Sequence, residues 1–322
     1  MNEITLKASK QVRGCIKLPG SKSITNRVLL MAALGCGVTK LIDPLRSEDT
    51  DQMINALIKL GVSVKEVNDD KNIIEIKGVE HNFPNKNTNL FLGNSGTTFR
   101  PLAAVLSMMR GDYYLSGIDR MHERPIKDLV DALEQMGSSI RYEKDHGYPP
   151  ITINNSSIEI SEPIQIKGDI SSQYLTALLI AGPISNNEFN IEVIGDLISK
   201  PYIDITLKLL TKFNIFYSND NWRLFSLKKD SVYRNPTKIF VEGDASSASY
   251  FFAAASLAGS IEIKGINKDS IQGDLKFLDI ISKMGAKIEY KPDSIQVSKA
   301  TNLKGLEIDC IEIPDAAMTL AI

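Results

Sequence analysis

The 322-residue sequence is sparing with the residues that build metal and disulfide chemistry. Its three cysteines, Cys15, Cys36 and Cys310, are odd in number, far apart and without metal-ligand spacing. They are expected as small buried hydrophobes. The three histidines, His81, His122 and His146, form no pair at ligand spacing, so no metal and no other cofactor is expected. His122, close to Arg124, reads as an exposed histidine, the alternative being the wall of a site. Net charge is only −2, so no global basic field attracts nucleic acid, and any anion site must be built from a few local cations. Residues 1–10 have neither an apolar signal core nor an arginine-rich transit character. The longest largely apolar run, residues 28–38, is interrupted by Gly35 and Gly37 and is too short to span a bilayer. A cytoplasmic chain without nucleic-acid or membrane partners is the expectation.

What is present is ordinary in bulk and specific in detail. With 43% hydrophobic and 24% charged residues, the chain suits a globular protein of roughly two domains. Leu18-Pro19-Gly20-Ser21-Lys22-Ser23-Ile24-Thr25-Asn26-Arg27 stands out. Gly20 ends an extended run, Ser21 and Ser23 are N-cap types, and the apolar stretch from Val28 continues as a helix. A helix start offers free N–H groups and the positive end of the macrodipole, which suits an anion. Lys22 adds a mobile charge, and Ser23 and Arg27, four apart, share one helix face. The plain alternative is a capped helix start with two solvated cations. A nucleotide P-loop is excluded, because Ser21 separates Gly20 from Lys22 and Gly14 lies one place too far upstream.

The same pattern recurs. Glycine, a short hydroxyl-rich segment and an apolar helix follow one another at Gly20, Gly93, Gly168 and Gly243, with a fifth start at Pro314. The spacings are 73, 75, 75 and 71 residues. A second helix type repeats in phase and closes at Gly61, Gly137, Asn214 and Gly285, residues suited to a left-handed C-cap. Strand-like runs follow at residues 62–67, 138–143, 215–218 and 286–290. Two phase markers in agreement, one over four periods and the other over three, indicate internal duplication of a strand–helix–strand–helix unit with extra strands. Corresponding helix starts facing one another across a cleft would make a polyanion site.

Along the chain, Ile4, Leu6 and Ala8 alternate, as do residues around Ile16, and both stretches read as strands. Residues 47–60 read as a helix with an acidic start, and Asn68-Asp69-Asp70 as a hairpin turn. Gly93-Asn94-Ser95-Gly96-Thr97 allows close backbone approach to a ligand, with Asn94 offering donor and acceptor. Pro125 is placed at the first position of a helix ending at Met136, which puts Arg124 at its positive end, a position better explained if an anion binds there. Ser171, Ser172 and Gln173 suit sugar or cyclitol hydroxyls. Ser199 to Tyr202 opens another helix, and Trp222 reads as packing. Residues 233–236 read as a crossing between halves. Asp169, Asp244 and Asp315 fit acidic N-caps, and Asp315, after Pro314, is also a candidate general base. The chain stops at Ile322 inside an apolar helix. Six units of about 72 residues would give about 430, so roughly a hundred residues are expected to follow.

These motifs resemble the 5-enolpyruvylshikimate-3-phosphate synthase family, in its bacterial class I form. The resemblance rests on residues 18–27, on Gly93-Asn94-Ser95-Gly96-Thr97-Thr98-Phe99-Arg100-Pro101-Leu102, and on Arg120-Met121-His122-Glu123-Arg124-Pro125-Ile126. It rests also on Ser171-Ser172-Gln173, Ser199-Lys200-Pro201-Tyr202-Ile203-Asp204, residues 241–247 and Pro314-Asp315-Ala316-Ala317-Met318, and so covers the whole chain. It implies an α/β fold of two domains, an inside-out α/β barrel built from βαβαββ units. Residues 21–240 would be a complete domain of three units, and residues 1–20 plus 241–322 part of the second. It implies transfer of the enolpyruvyl group of phosphoenolpyruvate to the 5-hydroxyl of shikimate 3-phosphate, by addition and elimination without metal. Lys22 would touch both substrates and assist proton transfer. Ser23, Arg27, Ser171, Ser172, Gln173, Ser199, Tyr202 and Asp315 would hold shikimate 3-phosphate, with Asp315 accepting the 5-hydroxyl proton. Asn94, Gly96, Arg124 and Gln173 would line the phosphoenolpyruvate side, Gly96 leaving the room that glyphosate uses. The family's later proton-transfer acid, arginines and lysine fall beyond residue 322, so little turnover by this chain alone is expected. A monomer is expected. The alternatives are the sister transferase acting on UDP-N-acetylglucosamine, whose loop cysteine has no counterpart near His122, and a binding-only fragment.

Overall fold

The computed structural model describes residues 4–5, 10–67 and 70–322, the side chains of residues 70 and 71 excepted. The chain falls into two compact units, Gly20–Val241 and a second made of Met1–Pro19 with Glu242–Ile322.

In the larger unit three helices are apolar on nearly every side and are buried accordingly. They are Lys22–Leu34, Gly96–Ser107 and Ser172–Ala181; every residue of the first from Ile24 onward is buried. Helix Gly96–Ser107 packs against both others. Each fully buried leucine here contributes roughly 1.5–3 kcal/mol relative to an exposed one. Helices Glu48–Lys59 and Lys127–Glu134 are instead amphipathic and bury one stripe, Met53, Ala56 and Leu57 in one case and Leu129, Val130 and Leu133 in the other.

Among the described residues three four-stranded sheets accompany these helices, all in one pattern. A parallel pair is extended by two antiparallel strands: Asn87–Phe91, Asp112–Ser116, Ile151–Asn154 and Ser139–Tyr142 in one sheet. Ile164–Lys167, Phe189–Ile194, Leu224–Leu227 and Tyr217–Asp220 form another. The third runs Lys238–Phe240, Val38–Ile42, Asp70–Lys77 and Ser63–Val67. In the first two, chain order is strand, helix, strand, helix, strand, strand. In the third, the leading strand comes from the end of the unit, Ile239 pairing with Leu41. Alternating burial, as in Ile164–Lys167, turns one sheet face inward and one to solvent. Helices thus form the interior and sheets the exterior, and none of the described sheets closes on itself.

Among its described residues the smaller unit repeats the pattern once. Val12–Lys17 pairs in parallel with Gly259–Lys264, which is followed by Ser294–Ser298 and Lys287–Tyr290. Its core gathers Phe252, Ile263, Phe277, Leu278, Ile295 and Val297 beside helix Ala245–Ala258. Among the described residues no helix is long and apolar enough to cross a membrane.

The four expected helix ends all carry left-handed residues, with φ of 92° at Gly61, 87° at Gly137, 63° at Asn214 and 117° at Gly285. Other expectations are corrected. Cys15 and Cys36 are exposed and Cys310 half-buried. Cys15 points outward from the strand Val12–Lys17, and Cys36 follows the helix end, donating to Glu80 Oε1 at 3.3 Å. Residues 233–236 are not a crossing between units. Tyr233 is fully buried and donates to the Ile180 carbonyl at 2.8 Å, and Asn235 donates to the Ala32 carbonyl at 2.9 Å, so the segment is anchored inside the larger unit. The chain crosses at 19/20 and 241/242. Asp169 caps nothing, the N-cap being Ser171, two residues on. The expected hairpin joins Ser63–Val67 to Asp70–Lys77, while residues 68–69 lie outside the described residues, as do Leu6 and Ala8.

Candidate anion-binding site

The three buried helices of the larger unit start at one end, and their side chains are tied together there. Asn26 Nδ2 donates to Thr97 Oγ1 at 2.7 Å, linking the first helix to the second. Arg100 Nη1 donates to Gln173 Oε1 at 3.0 Å, linking the second to the third. Ser21, Ser95 and Ser171 are the N-caps, and only Ser171 caps through its side chain, accepting from Gln173 N at 3.2 Å. The hydroxyls of Ser21 and Ser95 therefore do not close their own helix ends. Ser199 precedes helix Lys200–Lys212 with φ 53°, and its side chain makes no cap bond.

Arg27 is a buried cation, 6% exposed. Its Nε donates to Thr206 Oγ1 at 2.8 Å and its Nη1 to the Ser23 carbonyl at 2.9 Å. Its Nη2 reaches Thr176 Oγ1 at 3.4 Å and the Tyr202 carbonyl at 3.3 Å. Burial pulls its pKa down to about 10, so it remains a cation at neutral pH. Lys22 is half-exposed and pairs with Asp49 at 3.3 Å.

Arg100 and Arg124 converge on Gly96. A Cβ at Gly96 would lie 2.5 Å from Arg124 Nη2 and would run into Arg100 Nη1. Arg124 Nη1 also holds the Asn94 carbonyl at 2.8 Å. Arg100 is buried, its Nη2 donating to the Pro125 carbonyl at 3.2 Å, and its Nε is buried without a partner. Burial lowers the Arg100 pKa, and Arg124 nearby lowers it further. Among the described residues no carboxylate is ion-paired to Arg27, Arg100 or Arg124. Two like charges beside one glycine, with no acid between them, form a place for an anion.

Pro125 is not the first residue of a helix. A short helix Asp119–His122 ends first, and the next begins at Lys127. The Pro125 carbonyl is held by Arg100 and by Tyr174 Oη at 2.7 Å, which fixes the turn ahead of the helix. Arg124 therefore serves the start of helix Gly96–Ser107 rather than that of Lys127–Glu134. His122 is half-buried, its Nε2 accepting from Gly117 N at 3.3 Å.

Lys22, Ser23, Arg27, Asn94, Gly96, Arg124, Ser171, Ser172, Gln173, Ser199 and Tyr202 all lie in the larger unit, and the bonds above gather Ser23 and Tyr202 on Arg27, Ser171 and Gln173 beside Arg100, and Asn94 on Arg124. Asp315 lies in the smaller unit, exposed in the short helix Pro314–Ala316. There Asp244 caps helix Ala245–Ala258 by accepting from Ser247 N at 2.7 Å, and Ser246 donates to the buried Asp274. Burial pushes the Asp274 carboxyl up to about 6, against the Ser246 hydrogen bond, with Asp315 and Asp244 raising it further. Sequence reasoning missed Arg100, Asp49, Thr176, Thr206 and Asp274 as members of these networks. Arg100 had a signal, since it follows Gly93 by seven residues as Arg27 follows Gly20.

Solved structures of the same architecture define the class. An EPSP synthase from Acinetobacter baumannii superposes with a TM-score of 0.81 at 23% identity, over 98% of this chain and 71% of that one. The enolpyruvyl transferase NikO from Streptomyces tendae superposes with 0.70 at 13% identity, over 97% and 72%. The fold is that of the enolpyruvyl transferases. Within it, the family model for EPSP synthase (3-phosphoshikimate 1-carboxyvinyltransferase) matches residues 6–322. A 3-phosphoshikimate 1-carboxyvinyltransferase of Bordetella pertussis is 48% identical over 99% of this chain and 74% of its own length. That of Ralstonia pickettii is 48% identical over 100% and 75%. The chain belongs to the EPSP synthase family.

Proposed function

We propose that the protein moves the enolpyruvyl group of phosphoenolpyruvate onto the 5-hydroxyl of shikimate 3-phosphate, releasing phosphate. The observation that carries this reading is the set of three arginines at one end of the larger unit, held by neutral partners and, among the described residues, ion-paired with no acid. Both substrates are polyanions, and both need cations whose charge is not already cancelled. Arg27, with Ser23, Ser171, Ser172, Gln173, Ser199 and Tyr202, holds shikimate 3-phosphate. Arg124, Asn94, Gly96 and Gln173 line the phosphoenolpyruvate side, and Arg100 joins them. Lys22 touches both substrates and shuttles a proton. Asp315 takes the proton of the 5-hydroxyl as its oxygen bonds to C2 of phosphoenolpyruvate and C3 takes up a proton, giving a tetrahedral adduct; loss of a proton from C3 with departure of phosphate from C2 then restores the double bond. Glyphosate competes at the Gly96 side.

The domain reading belongs to the same proposal: residues 21–240 as three related units, and residues 1–20 with 241–322 as part of a second domain. So does a cytoplasmic monomer, which sedimentation measures. The test is calorimetric titration with shikimate 3-phosphate, beside Arg27→Ala and beside UDP-N-acetylglucosamine. Saturable binding of shikimate 3-phosphate that Arg27→Ala weakens about tenfold or more supports the reading. Binding of UDP-N-acetylglucosamine instead, or shikimate 3-phosphate binding indifferent to Arg27, overturns it.

A further inference from the structure

Arg27 is buried and, among the described residues, has no counter-ion; what holds it is unusual in kind: two threonine hydroxyls from two helices. Thr176 sits on helix Ser172–Ala181 and Thr206 on helix Lys200–Lys212, and both are buried. Their hydroxyl oxygens are 3.2 Å apart. The single proton of Thr206 goes to the Tyr202 carbonyl at 3.1 Å, one turn back on its own helix. Thr206 Oγ1 can then only accept from its other neighbours, so Thr176 is the donor between the two threonines. Thr206 Oγ1 receives Arg27 Nε and the Thr176 hydroxyl; Thr176 Oγ1 receives Arg27 Nη2; the Tyr202 carbonyl receives both Thr206 and Arg27 Nη2. The hydrogen bonds therefore run one way, from the guanidinium through the threonines to a carbonyl.

We propose that Thr206, seconded by Thr176, is a positioning residue: a neutral clamp that fixes the Arg27 guanidinium while leaving its charge for the anionic ligand. The usual partner for a buried arginine is a carboxylate, which would hold it equally well and cancel the field that recruits an anion. Neutral acceptors satisfy the N–H groups and leave the net charge intact. The stripe Thr176, Tyr202 and Thr206 also spans two helices, so the same clamp fixes the cation relative to Ser171–Gln173 and to Ser199. The proposal rests on Arg27 as a ligand of shikimate 3-phosphate.

The test is a double-mutant cycle read by calorimetry with shikimate 3-phosphate, with a thermal melt of each variant. Thr206→Val keeps the shape and removes the acceptor; affinity is expected to fall about tenfold or more, as for loss of a hydrogen bond to a charged group. Thr206→Ser is expected to restore it. Thr176→Val, whose contact is longer, is expected to cost about threefold and serves as the second reading should Thr206→Val unfold the chain. In an Arg27→Ala background Thr206→Val is expected to have no further effect. Thr206→Asp is expected to keep or raise the melting midpoint and yet weaken binding more than Thr206→Val does. Three results overturn the clamp: wild-type affinity in both valine variants, an equal loss from Thr206→Val with and without Arg27, or wild-type affinity in a folded Thr206→Asp protein. If Arg27→Ala itself binds normally, the substrate assignment has failed rather than the clamp.

Discussion

Gly96→Ala isolates the anion site from the fold. The added methyl would lie 2.5 Å from Arg124 Nη2 and 3.0 Å from Arg124 Cζ, and would also meet Arg100 Nη1. Ordinary carbon contacts begin near 3.5 Å, so at least one guanidinium must retreat by about 1 Å. Both are the far ends of flexible side chains, and Gly96 is the first residue of its helix with an ordinary backbone. The fold is therefore expected to tolerate the change. Alanine there even contributes about 0.4–1 kcal/mol by reducing unfolded-chain entropy, which offsets the crowding. Ligand geometry is less forgiving. Arg124 is held to the Asn94 carbonyl at 2.8 Å, and a 1 Å shift breaks that tether. Losing one charge-assisted hydrogen bond to the ligand costs about 1.5–3 kcal/mol, or roughly 10- to 100-fold in affinity. The assay titrates phosphoenolpyruvate into protein saturated with shikimate 3-phosphate, with thermal melts in parallel. The expected result is a melting midpoint close to wild type, unchanged shikimate 3-phosphate affinity because Arg27 has separate partners, and phosphoenolpyruvate affinity down at least tenfold. A variant that keeps wild-type phosphoenolpyruvate affinity would refute the convergence of Arg100 and Arg124 on Gly96.

Three further outcomes follow from particular contacts. Asp274, buried, has its pKa raised to about 6 from an ordinary value near 3.8. The folded chain therefore binds the extra proton between those values, and stability falls as pH rises through that window, by at most about 3 kcal/mol. Asp274→Asn is expected to flatten the difference in melting midpoint between pH 4 and pH 7, and an unchanged slope would contradict the assignment. A Cβ at Gly78 would run into the Gly35 carbonyl and lie 2.8 Å from the Ala32 carbonyl oxygen, both backbone. Gly78→Ala should thus destabilise the larger unit by about 1–3 kcal/mol in denaturant melts, and a neutral result would show that this backbone can yield. Arg100→Met should slacken Gln173 and the Pro125 turn together, weakening phosphoenolpyruvate binding more than shikimate 3-phosphate binding in calorimetry; equal losses would mean that Arg100 serves both sides.

Much of this molecule is local chemistry and so could be read along the chain. A helix that ends on a left-handed residue needs glycine or asparagine, which is why Gly61, Gly137, Asn214 and Gly285 marked four termini correctly. The hydroxyl-rich starts place Ser21, Ser95 and Ser171 at the N-caps, although only Ser171 closes its own first turn through its side chain. Apolar helices without a polar face announced their own burial. The period of the duplication carried the four equivalent sheets.

What tertiary structure decided is everything that depends on which distant residues meet. The leading strand of the third sheet, Lys238–Phe240, joins Val38–Ile42 nearly two hundred residues away, and no local signal specifies that pairing. Tyr233 looked like linker and is core, because its hydroxyl finds the Ile180 carbonyl. Pro125 looked like a helix start and is a turn, because Arg100 and Tyr174 claim its carbonyl. Cys15 and Cys36 looked apolar and face outward, because strand register and a helix end placed them there. Arg27 was legible as a cation on a helix face; its threonine clamp was not, since Thr176 and Thr206 lie 149 and 179 residues away. Sequence spacing fixes what one turn of backbone can bring together, whereas the neighbours of a buried charge are chosen by the packing of separate helices.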